Sequence, residues 1–170
     1  MTEVQKQEVE AMRTLELKLF IIEFNKASQL DRSFGKSLTR SEKRIFRKAL
    51  IDTCFDLMDL VDDDGFTNAI LRNRIEDLTK ISKSISFGQA QKVVNVVLKQ
   101  YCFILGKANL YKELDCPLDS TTMQGRHSMK DLTKEQYETY QSEFEGRHDG
   151  LRILEDMAYD TQRIQTFEQG

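Results

Sequence analysis

The stretch Ser86–Asp119, SFGQAQKVVNVVLKQYCFILGKANLYKELDCPLD, decides the fold. At about 100° per residue, Val93, Val94, Val97, Leu98, Tyr101, Ile104 and Leu105 cover most of the circumference of a helix from Gly88 to Leu105. Ser86 and Gln89 have the spacing of a capping box, and Gly106 supplies a residue that tolerates the left-handed geometry of a helix end. A helix this apolar is buried on most sides, so the rest of the chain must wrap around it. Asn109–Leu114 reads as a short helical turn. Cys116 precedes the only proline, Pro117, and is pushed into extended backbone. Asp119 then stands where a carboxylate caps a turn at Ser120–Gln124.

Working outward, residues 4–30 carry Val9, Met12, Leu15, Leu19, Phe20, Phe24 and Ala27 at helical spacing. A polar turn follows at 31–35. Thr39 and Glu42 form another capping box, opening a helix with Ile45, Phe46, Ala49, Leu50, Phe55, Leu57, Met58 and Val61 that stops at Asp62-Asp63-Asp64-Gly65. A third helix spans 66–81, with Ile70, Leu71, Ile75 and Leu78 inward. A polar loop over 120–131 precedes a helix from Thr133 and Gln136 to about Phe144. The last helix carries Leu151, Leu154, Met157, Ala158, Ile164 and Phe167. These segments predict one all-α domain over residues 1–170, six to seven helices around one core, with no strand.

Composition agrees. Of 170 residues 39% are apolar and 31% charged, and one proline with eight glycines is too few for the turns of an all-β chain. The net charge of −3 and pI near 5.5 give no basic field over the whole molecule and leave room only for a local basic patch. Cys54, Cys102 and Cys116 have no C-x-x-C spacing and read as reduced thiols. The acidic N-terminal segment lacks an apolar leader core, and Asn95 and Lys99 interrupt the longest apolar run. Together these predict a cytoplasmic chain without a membrane span.

Several motifs fail on spacing. Gly35-Lys36-Ser37 resembles the end of a phosphate-binding loop, but the first glycine would fall at Leu30. Asp62, Asp64 and Gly65 match the middle of a calcium loop whose first and twelfth positions are Leu60 and Leu71, so its essential carboxylates are missing. His127 and His148 have no partners at metal-ligating spacing. The echo Gly125-Arg126-His127 and Gly146-Arg147-His148 reads as two polar turns. No nucleophile elbow and no cofactor signature is present.

One feature of the central helix stands apart. Gly88, Lys92, Asn95 and Lys99 share an arc of about 60°, flanked by Gln91. Two cations, amides that both donate and accept, and a small residue suit a phosphate or carboxylate, with Gln89 and the helix N-terminus at one end. Asp119 would pair with and orient Lys92 or Lys99, or act as a cap. The plainer reading of the stripe is the solvent face of a central helix, and both remain open.

The run Phe87-Gly88-Gln89-Ala90-Gln91-Lys92, Asn95, Lys99-Gln100-Tyr101 and Cys116-Pro117-Leu118-Asp119 resembles a set of uncharacterised bacterial and phage proteins. Their pattern is aromatic-G-x-A-Q-K, N, K-Y and a P-[IL]-D turn, with a later segment approximated by Leu132–Gln141. This chain departs in having Gln100 between Lys99 and Tyr101 and in lacking a tryptophan before the later segment. The resemblance implies a small helical protein with mainly polar motif residues, and no activity.

The leading expectation is therefore a non-catalytic protein that binds an anion, a nucleotide or nucleic-acid backbone, through Gln89, Gln91, Lys92, Asn95, Lys99 and Asp119. No metal or cofactor is expected. Phe87, Tyr101 and Tyr111 are the nearby aromatic platforms for a single strand. The alternative is a protein-binding adaptor or inhibitor of phage or host-defence type, using the first helix or the 120–131 loop. A phosphoester-processing enzyme is the third reading.

Overall fold

The structure, a computed structural model, describes residues 2–28 and 38–169. Gly35-Lys36-Ser37 and the turn at 31–35 lie outside the described residues, as do the side chains of Val9, Met12, Leu15, Leu19, Ala27, Ile164 and Phe167. The described chain is all-α. It comprises α1 (Glu3–Ser28), α2 (Arg40–Asp62), α3 (Asn68–Thr79), α4 (Phe87–Ile104), a 3₁₀ turn (Ala108–Leu110), α5 (Lys134–Arg147) and α6 (Leu154–Gln169).

α4 is the axis of the molecule, packed against α1, α2, α3, α5 and the 3₁₀ turn. Its Ala90, Val93, Val94, Val97, Leu98 and Cys102 are buried, as the sequence predicts for a helix apolar on most sides. α2 presents Phe46, Leu50, Cys54, Leu57 and Val61 to the same core, at steps of four or three residues. α3 adds Leu71, Ile75 and Leu78, and α5 adds Tyr137, Tyr140 and Phe144. Phe20 of α1 stacks on Phe55 of α2 with ring centres 4.6 Å apart. Burying one such side chain stabilises by roughly 1.5–3 kcal/mol before entropy is counted.

Local signals set the helix ends. The capping boxes at Thr39/Glu42, Ser86/Gln89 and Thr133/Gln136 are all formed. Thr67 caps α3, so that helix starts two residues later than the apolar pattern suggests. Gly106 has φ +64° just past the end of α4. α5 continues to Arg147, beyond Phe144, and α6 begins at Leu154, leaving Leu151 in the preceding turn. The polar 120–131 loop is anchored, because Thr122 and Met123 are buried. Among the described residues no helix is long and apolar enough to cross a membrane.

Candidate functional site

After the 3₁₀ turn the chain runs without regular secondary structure from Leu114 to Asp119 and is buried through Leu118. Non-helical backbone inside a helical core has no ladder to satisfy its N–H and C=O groups. Two glutamines take that place. Gln91 of α4 donates to Leu118 O at 2.8 Å and accepts from Leu118 N at 3.1 Å. Gln141 of α5 does the same for Cys116, donating to its O at 2.8 Å and accepting from its N at 2.9 Å. One side-chain amide on either side of Pro117 thus mimics the paired peptide of a neighbouring strand.

The clamp continues into a buried network. Asn95 Nδ2 donates to Gln91 Oε1 at 3.0 Å and to Tyr137 Oη at 2.8 Å, and Tyr137 donates to Asp115 Oδ2 at 2.9 Å. Asp115, itself 1% exposed, also accepts from Arg72 Nε and Nη2 and from Asn68 Nδ2. Arg152 Nε stands 2.8 Å from Asp115 Oδ1 as an ion pair without hydrogen-bond alignment, while its Nη2 donates to Lys112 O. Burial opposes the charge on Arg72, but the hydrogen bonds and attraction of Asp115 outweigh it and hold the guanidinium above its ordinary pKa. Burial, reinforced by the Asp115 charge, pushes the Tyr137 phenol well up, so it stays a neutral donor. Asn95 Oδ1 is the acceptor of this network left without a partner among the described residues. Asp115, Tyr137 and Gln141 were not singled out as site residues. Their signal was an aspartate inside the apolar run Leu114–Leu118 and polar positions on an otherwise mixed α5.

The six expected ligand residues therefore divide. Gln91 and Asn95 meet, but as internal struts. Gln89 is consumed in its capping box, its Oε1 accepting from Ser86 N at 3.0 Å. Lys99 is buried and ion-paired with Asp156 of α6. Lys92 lies 3.9 Å from Asp119, each about 30% exposed by side chain, so Asp119 pairs with Lys92 and not with Lys99. Asp119 also caps the following turn, accepting from Thr121 N and Thr122 N at 2.8 and 3.1 Å. The stripe is neither a solvated face nor an open channel, because the 114–123 segment lies against it. The N-terminus of α4 is covered as well. Ser86 Oγ donates to Met129 O at 2.7 Å, and a Cβ at Gly88 would stand 2.3 Å from that same oxygen. Phe87 is buried against Tyr137, the half-buried Tyr111 packs on the half-buried Phe103, and Tyr101 donates to Asp62, so these rings serve packing and tethering.

The two Gly-Arg-His segments converge, but only the first is a turn, since Gly146 and Arg147 form the end of α5. Arg126 forms a two-pronged bond with Glu143 of α5, and Arg147 lies 3.4 Å from the same carboxylate. Hydrogen bonding from Arg126 holds the Glu143 carboxyl below its ordinary pKa. His127 bonds Tyr140 Oη, and His148 bonds Glu155, which Arg147 also engages. Every charge in this ladder is answered within it.

A row of basic residues lies on α2. Arg40, Lys43, Arg44, Arg47 and Lys48 repeat at steps of three, one, three and one, which puts them along one side of the helix. Lys48 pairs with Asp52, and Arg47 donates to Asn25 while lying over the Phe24 ring. Arg40, Arg44 and Arg47 are exposed and have no carboxylate partner among the described residues. Three of these cations, Arg40, Lys43 and Arg44, fall in the first turns, against the positive end of the helix dipole, while Asp56, Asp59 and Asp62 crowd its negative end. The spacing of these cations is legible in the sequence, whereas their exposure and lack of carboxylate partners are not.

No group of three or more histidine, cysteine, aspartate or glutamate side chains is arranged to hold a metal among the described residues. No protein-family model, curated protein or solved structure matches this chain.

Proposed function

We propose that this protein is a non-catalytic binding protein for a phosphate-bearing anionic partner, docked on the basic face at the N-terminal half of α2. The observation that carries the reading is the row Arg40, Arg44, Arg47: exposed and without carboxylate partners among the described residues, with Arg40 and Arg44 set against the positive end of the helix dipole. Successive members lie four and three residues apart, about 6 and 4.5 Å of helix rise, so one extended polyanion can touch all three. Arginine is suited to this because its planar fork meets phosphate oxygens two at a time. In this reading the α4 stripe is the support, since its amides and Lys99 are engaged with the 114–119 segment, α5 and α6.

The test is thermal unfolding with inorganic polyphosphate at low salt, for wild type and Arg40→Ala/Arg44→Ala. A partner that binds only the folded state raises Tm by mass action, about 2.7 kcal/mol at a hundredfold excess over Kd. The reading expects a rise in wild type that high salt abolishes and the double variant lacks. No rise, or one equal in the variant, refutes it.

A further inference from the structure

The start of α6 is held to the rest of the molecule by charge. Between Leu151 and Tyr159 the buried side chains are Arg152, Ile153 and Glu155, and of the apolar ones only Ile153 joins the core among the described residues. Arg152 roots the segment: it stands 2.8 Å from Asp115 and 3.3 Å from Glu145 and donates to Lys112 O. Glu155 and Asp156, one helical turn on, close it. Glu155 accepts from Arg147 at 2.8 Å and bonds His148 at 2.8 Å, and Asp156 accepts from Lys99 of α4. With side chains 8% and 19% exposed, both carboxylates are largely out of water and depend on these partners. Cys116 lies under this turn. Its thiol is buried, and the charges of Asp156, Glu155 and Lys99 and the Asp156 backbone N–H all bear on it. Cys102 faces Lys107 and Asp62 instead, and Cys54 is enclosed by the core.

We propose that α6 is an acid-released strap: when Glu155 and Asp156 lose their charge the helix swings away about Arg152 and Ile153, uncovering Cys116 and Lys99 while the core of α2, α3, α4 and α5 stays folded. Groups on several elements face this clasp. Glu155 is met by Arg147 and His148 at the end of α5 and, farther off, by Arg126 of the 120–131 loop; Asp156 is met by Lys99. Lysine and arginine keep their charge throughout the acid range, so an attraction complete at neutral pH is lost as the carboxylates protonate. His148 gains charge on the way down and strengthens the contact only while Glu155 stays ionised. A Lys99 ammonium left buried opposite a neutral acid is a charge without an answer, and opening returns it to water. Arg152 keeps its hold, because Asp115 is fixed by Arg72, Asn68 and Tyr137 as well, which makes it the pivot.

The experiment is thiol labelling of the full chain with 4,4′-dithiodipyridine, a reagent active in acid as well as at neutral pH. Labelling of each cysteine is read by mass spectrometry from about pH 7.5 down to about pH 4.5, across the range where carboxylates begin to protonate, beside far-ultraviolet circular dichroism. At neutral pH the strap is closed and no thiol should react. On acidification Cys116 should label at least about tenfold faster than Cys54 and Cys102 with the helical signal kept, as for a unit that opens below the global stability. Asp156→Asn should bring the same selective labelling of Cys116 to neutral pH. Asp52→Asn, which removes an exposed carboxylate paired with Lys48, should behave as wild type. Labelling of all three thiols together with loss of the helical signal overturns the strap, because the chain then opens as one unit. A Cys116 that stays closed in acid while the protein remains folded, or that stays closed in a folded Asp156→Asn, also overturns it, as does selective opening in Asp52→Asn at neutral pH.

Discussion

The sharpest test of the architecture is Gln91→Leu. Leucine keeps the side chain's bulk and removes its amide. In the native chain that amide satisfies both backbone groups of Leu118, and each is buried. Without it the Leu118 N–H and C=O face an apolar side chain. A buried polar group left unmade costs about 1–3 kcal/mol, so the pair predicts a loss of about 2–6 kcal/mol. Against a total stability of about 5–15 kcal/mol for a domain this is a large fraction, and at roughly 2–4 °C per kcal/mol it corresponds to a Tm lower by about 10 °C. Asn95 Nδ2 loses one acceptor but keeps Tyr137 Oη, so its contribution is small.

Urea unfolding followed by far-ultraviolet circular dichroism reads the change, with the slope unchanged if the native core persists. Gln100→Leu on the same helix, at a partly exposed position, is the control and should fall within about 0.5 kcal/mol of wild type. A second arm adds Gln141→Leu, which strips Cys116 in the same way. Both clamps hold one segment across Pro117, so once one is lost the other holds less, and the double variant should cost less than the sum by about 0.5–3 kcal/mol. Gln91→Leu no more destabilising than Gln100→Leu would refute the clamp. Strict additivity would refute its acting as a unit.

Further outcomes follow from the same structure. Gly88→Ala should destabilise strongly despite alanine's better helix propensity, because the new Cβ meets Met129 O at 2.3 Å and Leu132 Cβ at 2.9 Å; a gain in urea midpoint would contradict that close approach. Cys54, Cys102 and Cys116 are all buried, so a thiol reagent should label none until the protein unfolds, and burial pushes the Cys54 and Cys102 thiols to about 12. With folded values above the ordinary 9.0, their contribution is complete below pH 9 and is lost as pH climbs from 9 toward 12; Cys54→Ala should flatten that alkaline limb of the urea midpoint, and an unchanged limb counts against the assignment. Arg40→Ala removes a cation from the positive end of α2, so stability should hold or rise by about 0.3–1 kcal/mol, and a loss above about 1 kcal/mol would mean Arg40 is structural.

The fold was legible because its determinants are local. Capping pairs three residues apart, the apolar circumference of α4 and the obligatory extension before Pro117 need no knowledge of tertiary structure. The stripe on α4 was legible as a set of polar positions and not as a role. Whether Gln91 and Asn95 face water, a ligand or the chain itself depends on Leu118 and Tyr137, which arrive from 27 and 42 residues away in sequence. Periodicity on one helix carries no term for that arrival. Asp119 shows the same limit in milder form: its cap follows from its own turn, but its choice of Lys92 over Lys99 was fixed only when α6 brought Asp156 to Lys99.

Charge on α2 points the other way, from a broken local rule to a role. A helix gains when acids sit at its start and bases at its end, and α2 reverses this. At the acidic end the conflict is tempered within the fold: Tyr101 Oη donates to Asp62 at 2.8 Å, while Lys107 stands 3.9 Å from Asp64 and donates to Val61 O. At the basic end Glu42 is spent on its capping box, where the Thr39 N–H holds its carboxyl below the ordinary range, and on Ser82. Nothing comparable reaches Arg40 or Arg44 among the described residues. A sequence consistent at every other level that leaves one conflict unrelieved is usually showing a site rather than a defect. The relief that the α2 face lacks is negative charge, which under the proposed function a phosphate-bearing partner would supply from outside the fold.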